Sequence, residues 1–414
     1  MPHQRVHSAN VFRTYICLLL LTACAYALMY GPQPMFNCIG QELAVDRSHI
    51  GLLVSVYMLS LSISPLCVGL LLGRTGIRRA ILASSALLGI SGAGMYCATS
   101  FGGLLAIRVL QAILTPVLLT SVMACIAGMF RHLDMKRALA GYVTATLVGS
   151  LTGRLGGGYS AEIFGWRTTL AAICGLFLLC LVLARSIPEQ VGGKPQTHRI
   201  SDYLTVLKQK GVASLLFVEA CGIFTFAAIG NLVPLRMAEL GRGQSEGLIG
   251  LMYLGYSIGL VASLTLNPLQ RLFGSANNLL IFGGAVFTVS LLSLYPPLVW
   301  TIFSGLWFIA LGQFIVHSLA PGLINQLATK SGQCDHGMVN GLFLSSYYFG
   351  GVLGSWLPGI IYAHCGWLAC LACMFAVQLT SLLVLLLRRH GTATNADANP
   401  HAAINAAPDI HGPQ

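Results

Sequence analysis

Charged side chains are scarce in this chain of 414 residues, since only 8% of the residues are Asp, Glu, Lys or Arg while 56% are hydrophobic. A soluble domain carries about 25% charged residues, so the composition excludes an ordinary water-soluble protein. Intrinsic disorder is excluded too, because disordered chains have little apolar surface to bury. The remaining class is an integral membrane protein.

The sequence also lacks the motif of nucleotide-driven pumps. No glycine-rich loop ending in Gly-Lys-Ser/Thr is present, so ATP is not the expected energy source. The 13 cysteines are an odd number and mostly lie in apolar runs, which predicts small buried residues rather than disulfides. Cys370 and Cys373 have the spacing of a redox motif, but their apolar surroundings favour core packing. We therefore expect no cofactor and no metal site.

The uncharged runs predict twelve membrane-spanning helices, since one span needs about 20 mostly apolar residues. The runs 272–329 and 336–387 are long enough for two helices each, with breaks at Tyr295-Pro296-Pro297 and at His364-Cys365-Gly366-Trp367. The predicted spans are 14–36, 49–72, 79–98, 103–129, 138–161, 167–187, 211–235, 246–268, 277–295, 298–327, 337–361 and 367–387.

The basic residues predict the orientation. If the N-terminus is cytoplasmic, 17 of the 23 Lys and Arg residues fall inside and four outside, in agreement with the positive-inside rule. Both termini are therefore expected in the cytoplasm, and the net charge of +11 is explained without a nucleic-acid partner. A lipoprotein signal ending at Cys24 is disfavoured, because the apolar stretch continues to about Phe36.

A polar stretch divides the spans into six and six. The predicted domains are an N-terminal half at 1–187, a cytoplasmic linker at 188–210, a C-terminal half at 211–389 and a disordered cytoplasmic tail at 390–414. The halves look duplicated, because several glycines recur at a fixed offset. Gly149, Gly153 and Gly165-Trp166 recur 201 residues later as Gly350, Gly354 and Gly366-Trp367, and Gly76 has a looser counterpart in Gly274. The predicted fold is all-α, with two six-helix repeats around a central site, as in many secondary transporters.

Three motifs resemble the major facilitator superfamily over nearly the whole chain. The segment between the second and third helices is similar to the family's cytoplasmic gate motif, which is carried here by Gly69, Gly73, Arg74, Gly76 and Arg78. Gly73 replaces the family's usual aspartate, so one member of its charge relay is absent. Arg108 with Gln111 resembles the fourth-helix motif, and the glycine-rich segment 149–154 lies where drug:proton antiporters carry a Gly-Pro motif.

Other segments resemble the YnfM-type group of bacterial inner-membrane transporters. They are Phe217-Val218-Glu219, Asn231, His317-Ser318 and Ser346-Tyr347-Tyr348. The resemblance implies a proton-linked exporter in the inner membrane, with a small-molecule substrate, and we expect it to be a monomer.

Charged groups within spans are rare because insertion of one costs about 2.5–3.5 kcal/mol. Glu219 is the only acid clearly inside a predicted helix, and it is the leading candidate for proton coupling, followed by His317. The alternative for Glu219 is a permanently neutral acid that only forms a hydrogen bond. The alternative for His317 is a residue that only packs against its neighbours. Arg108 and Arg154 lie within spans, where a substrate role and a structural role are weighted equally.

The resemblance implies that helices 1, 4, 7 and 10 line the cavity. The candidate substrate-binding residues are Tyr30, Gln33, Arg108, Gln111, Arg154, Asn231, Gln313 and Tyr347. If both arginines face the cavity, the site favours anionic or zwitterionic solutes.

The predicted function is proton-coupled efflux of a small organic solute. A uniporter or importer is the main alternative. A membrane-embedded enzyme built around Arg131-His132-Leu133-Asp134 is disfavoured, because this segment lies in a basic loop of a duplicated bundle.

Overall fold

The computed structural model describes residues 2–130, 132–184, 187, 200–241, 245–329 and 336–397. Within these ranges the secondary structure is entirely helical. Twelve helices build the bundle: α1 (Pro2–Tyr30), α2 (Leu52–Thr75), α3 (Ile77–Cys97), α4 (Phe101–Met129), α5 (His132–Phe164), α6 (Trp166–Ala184), α7 (Val212–Glu239), α8 (residues 246–272), α9 (Ala276–Ser290), α10 (Val299–Thr329), α11 (residues 336–365) and α12 (residues 367–397).

The predicted all-α fold is confirmed. In the described ranges, nine segments are long and apolar enough to span a membrane, and one of them, Met338–Arg389, includes both α11 and α12. The other two helices are α5, which carries several charged residues, and α8, which is divided into stretches at Glu246–Met252, Tyr253–Ser257, Ile258–Leu264 and Leu266–Leu272. The predicted single helix at 246–268 is therefore interrupted.

Two parts of the predicted domain layout contain more helix than expected. Residues 188–199 of the linker lie outside the described residues, but Ile200–Leu207 forms a short helix. The last helix continues to Asp397, past the predicted end at 389, and residues 398–414 lie outside the described part of the chain.

The duplication is visible in the backbone at the turns. Gly165 and Gly366 both have φ of 79°, and each separates two helices at the same place in its half. Gly76 and Gly274 form the other pair, with φ of 79° and 74°. Residues with a Cβ rarely adopt this left-handed region, so glycine is required at each turn.

The recurring helix glycines lie at equivalent crossings of α1 with α5 and α7 with α11. A Cβ at Gly149 would lie 2.6 Å from Cα of Ala23, and one at Gly350, 201 residues later, would lie 2.7 Å from Cα of Ala220. These separations are too short for carbon atoms, so glycine lets the two backbones pack directly. The offset of 201 residues therefore corresponds to a structural repeat.

The two halves meet along α2 and α11 and at one end of the bundle, which we call the distal end. It holds the short helices Phe36–Glu42 and Arg47–Ile50, and the opposite, linker end holds Ile200–Leu207. Glu246–Met252 of α8 packs on α5, Tyr253–Ser257 contacts both α5 and α10, and Ile258–Leu272 packs on α10 of its own half. One hydrophobic cluster joins both halves, and a second is confined to the linker end of the C-terminal half. At the distal end, Nδ2 of Asn37 donates to the carbonyl oxygen of Pro234 and the hydroxyl of Ser245 donates to Glu162, so hydrogen bonds between the halves close this end.

Candidate functional site

Glu219 of α7 and His317 of α10 form a buried pair. Nδ1 of His317 lies 3.0 Å from Oε2 of Glu219. The carboxyl group is fully buried, while 30% of the histidine side chain is exposed. Oε1 of Glu219 has no hydrogen-bond partner. The structure thus brings both predicted coupling residues together, at a distance at which a proton can pass from one to the other.

Aromatic side chains connect this pair to the N-terminal half. The ring of His317 packs against Tyr347 of α11, with centroids 4.6 Å apart, and Tyr347 contacts Tyr348 at 5.3 Å. The hydroxyl of Tyr348 lies 3.1 Å from that of Tyr26 on α1. Tyr347, which was predicted to bind substrate, therefore packs against the histidine of the candidate coupling pair.

Gln313 lies one turn from His317 on α10, opposite Gly222. Only 3% of Gln313 is exposed, yet neither amide atom has a hydrogen-bond partner. The hydroxyl of the buried Thr225 on α7 is also without a partner. An unsatisfied buried polar group costs about 1–3 kcal/mol, so such groups usually indicate a ligand or water site. Gln313 is the predicted substrate residue for which the structure offers no internal partner.

Arg154 of α5 lies in a second polar cluster, nearer the distal end. Its Nε donates to Oε1 of Gln33 at 2.7 Å, and Nη1 donates to the carbonyl and hydroxyl oxygens of Ser150. The guanidinium carbon lies 4.0 Å from the ring centre of Tyr30 and within 5.3 Å of those of Tyr253 and Tyr256. Only 4% of the residue is exposed. These contacts hold the guanidinium plane in place.

Gln33 continues the network into the other half of the bundle. Its Nε2 donates to Oδ1 of Asn231 on α7 at 2.8 Å, and Nδ2 of Asn231 donates to the carbonyl oxygen of Ser355 on α11 at 3.2 Å. We call Arg154, Gln33, Asn231 and Ser355 the distal latch, because this chain of hydrogen bonds joins α5 to α7 and α11.

Arg108 and Gln111 have a different environment. Arg108 is fully buried, and its guanidinium donates to the carbonyl oxygens of Leu28, Met29 and Leu53 and to Oε1 of Gln111. Gln111 in turn bonds the hydroxyls of Tyr57 and Ser91. Since the guanidinium NH groups donate to protein acceptors, this geometry favours the structural alternative for Arg108.

The gate motif is described only in part. Gly76 and Arg78 lie at the start of α3, where Gly76 precedes the first helical residue. Gly69, Gly73 and Arg74 belong to α2, but their side-chain surroundings lie outside the described residues.

Sequence reasoning predicted Tyr30 but missed the other two tyrosines around Arg154. Tyr253 and Tyr256 come from the interrupted part of α8, which was not in the expected cavity-lining set. Their spacing of three residues within an apolar helix was the available signal. Tyr26 was missed for another reason, because its role depends on Tyr348, which lies 322 residues away in the sequence.

A cavity of about 500 Å³ opens at the distal surface, lined by Val45, Asp46, Glu239, Tyr362, Ala363, Gly366 and Trp367. Glu239 is already bonded to Arg236 and to the hydroxyl of Tyr362. Hydrogen bonds from Ser48 lower the pKa of the exposed Asp46. Because these acids have partners and lie far from the unsatisfied polar groups, we place the candidate transport site at Glu219, His317 and Gln313.

The chain is similar to known membrane transporters. The model of the Major Facilitator Superfamily matches residues 18–333. The inner membrane transport protein YnfM of Escherichia coli is 24% identical over 374 residues, which cover 88% of each chain. The multidrug transporter AQR1 of Candida glabrata is 26% identical over 195 residues, 44% of this chain and 32% of the relative.

Two solved structures have a similar fold. A bacterial homolog of the human lysosomal transporter Spinster, in an inward-facing and unoccupied conformation, has a TM-score of 0.71 at 13% identity over 91% of this chain and 95% of that chain. The nucleoside transporter NupG has a TM-score of 0.71 at 10% identity over 90% and 99% of the two chains.

Proposed function

Because the chain belongs to the Major Facilitator Superfamily and is a transporter rather than an enzyme, we propose that it couples proton movement to the export of a small organic solute across the bacterial inner membrane, with both termini in the cytoplasm. The solute occupies the space between the aromatic residues of α1 and the polar residues of α7 and α10. The linker end then faces the cytoplasm and the closed distal end faces outward.

The buried pair Glu219 and His317 carries this proposal. A charged carboxylate away from water is costly, so its state depends on whether the imidazole supplies a counter-charge or a proton. In the described form, the imidazole is 30% exposed whereas the carboxyl group is fully buried, so a proton reaches Glu219 through His317. When the transporter opens to the other side, the same imidazole releases the proton there.

The solute and the proton interact because they share neighbours. Tyr347 packs on the imidazole, and Gln313 lies one turn away, so a bound solute touches groups whose positions depend on the protonation of the pair. Such contacts make the affinity for solute differ between the two protonation states, which is the requirement for thermodynamic coupling.

Proteoliposomes test this function directly. A panel of organic solutes is screened by counterflow, and any transported solute is then driven by a pH gradient. Wild-type protein should concentrate the solute against its gradient. Glu219→Gln keeps the size and hydrogen bonding of the side chain but cannot titrate, so it should lose pH-driven accumulation and keep exchange within about two-fold.

The matched control is Glu162→Gln, which removes an acid that bonds Ser245 at the distal surface. This variant should accumulate solute like wild type. If Glu219→Gln still concentrates solute in response to the pH gradient, Glu219 is not the coupling group. If solute transport by the wild-type protein does not depend on the pH gradient, the protein is instead a uniporter.

A further inference from the structure

We propose that Arg154 and its tyrosine rings form the binding subsite for the carboxylate of an aromatic organic anion, the ring of which lies toward Gln313 and His317. This inference rests on the proposed transport function, because it names the class of solute that the proposed transporter takes.

The charges of the buried residues support an anion. In the described part of the chain, three buried side chains are formally charged, namely Arg108, Arg154 and Glu219. Arg108 donates to backbone carbonyls, and Glu219 faces His317. Arg154 has no carboxylate partner among the described residues, and its Nη2 donates to none of them. A buried cation without a counter-ion is costly, so an anion from the substrate would stabilise it.

The geometry at Arg154 suits a carboxylate. The face of the guanidinium packs on Tyr30, so its edge is the part left for hydrogen bonds. A carboxylate typically accepts two parallel bonds from one edge of an arginine. One edge holds Nε, which now donates to Gln33, and Nη2, so a bidentate carboxylate would replace the amide oxygen of Gln33.

Aromatic contacts support a ring on the same solute. Tyr256, whose ring lies 5.2 Å from the guanidinium carbon of Arg154, packs on Phe226 with centroids 4.4 Å apart. Phe226 in turn contacts Phe314 at 6.0 Å, and Phe314 is the neighbour of Gln313 on α10. These rings extend from Arg154 to α10, the helix that carries the unsatisfied amide of Gln313. Flat aromatic groups pack favourably on such rings, and a polar substituent on the solute's ring could bond Gln313.

Paired ligands provide the test. Binding of benzoate and 1-naphthoate, of their neutral amides, and of benzylammonium is measured by titration calorimetry on the full-length protein in detergent. Wild type should bind the carboxylates more tightly than the amides. Arg154→Gln should weaken carboxylate binding by about ten-fold or more and change amide binding by less than about two-fold.

The control variant is Arg167→Gln, which removes a distal-surface arginine that bonds Glu42. It should leave both affinities unchanged, and unchanged amide binding shows that Arg154→Gln is folded. The inference is wrong if wild type binds none of the carboxylates, if it prefers benzylammonium, or if Arg154→Gln weakens carboxylate and amide binding equally.

Failure of this inference is distinguishable from failure of the transport function. If pH-driven transport of a cation or neutral solute depends on Glu219 but not on Arg154, the proposed function stands and the substrate class is wrong. If carboxylate binding depends on Arg154 while Glu219→Gln still accumulates the carboxylate, the substrate class stands and the coupling group is wrong.

Discussion

Two buried arginines of the same half have opposite surroundings, and this difference decides what each can do. Arg108 bonds the backbone of α1 and α2 and packs on Tyr57 at 4.1 Å. Arg154 bonds side chains that reach into the other half. Backbone carbonyls cannot leave without disrupting a helix, whereas an amide side chain can rotate away. Arg108 is therefore expected to stabilise the N-terminal half, and Arg154 to respond to ligands.

Replacement of Arg108 should reduce stability rather than substrate affinity. Arg108→Lys keeps the charge but offers three donors in place of five, so buried carbonyl groups lose partners and the variant should lose about 3 kcal/mol or more. The melting temperature in detergent measures this loss. The folded fraction should retain the KM of wild type. An unchanged melting temperature with a raised KM would instead assign Arg108 to the substrate site.

At the scale of helices, packing depends on direct backbone contact between α1 and α5 and between α7 and α11. The close approach brings Tyr30 on α1 over Arg154 on α5, so the same contact that holds the helices together also forms the proposed subsite.

The crossing of α1 and α5 should not tolerate a methyl group. Gly153→Ala places a Cβ against the backbone of Ala27 and should destabilise the protein by about 1–3 kcal/mol. Gly156→Ala, three residues along the same helix, meets no atom within 4 Å and should be neutral or slightly stabilising. Thermal unfolding of both variants checks the contrast. Equal effects would show that the close crossing is not important for stability.

The distal latch should control which end of the bundle is open. Gln33→Met keeps the side-chain volume but removes the bonds to Arg154 and Asn231, so the closed distal form should lose about 1–3 kcal/mol relative to the open form. Spin labels at Gln41 and Ala363, with the exposed Cys97 and Cys365 replaced by serine, should report a longer distance component.

Gln378→Met is the control for this experiment, since Gln378 bonds the carbonyl oxygen of Cys221 within the C-terminal half. This variant should have the same distance distribution as the wild-type protein. A Gln33→Met distribution identical to that of the control would show that the latch does not hold the distal end closed.

In the whole molecule, one hydrophobic core joins the two six-helix repeats, and the hydrogen bonds of the distal latch connect them at the distal end. Which side of the membrane the distal end faces depends on the orientation of the chain, for which the distribution of basic residues is the available argument.

Cysteine labelling tests the orientation. In a variant with Cys97 and Cys365 replaced by serine, a membrane-impermeant maleimide should label Arg242→Cys in intact cells. Arg199→Cys should react only after permeabilisation, because the linker is predicted to be cytoplasmic. Labelling of position 199 but not 242 in intact cells would reverse the orientation, so that the linker end would face outward.

The candidate site was predictable as a set of residue types but not as an arrangement. Glu219 was identifiable because an acid in an apolar helix is rare. His317 was identifiable only as a lone histidine, since 98 residues separate it from its partner. The roles of Arg108 and Arg154 could not be separated, because both are arginines within consecutive predicted spans and differ only in what surrounds them.

The sequence by itself determined the helical class, the number of helices and the duplication. The reason is that backbone groups in lipid must be satisfied within each helix, so span length and composition are local properties. Only the tertiary structure decided that Glu219 meets His317, that Gln313 is left without a partner, and that Arg154 rather than Arg108 joins the two halves. These facts depend on rotation and crossing of helices that are distant in the chain, and local composition does not specify them.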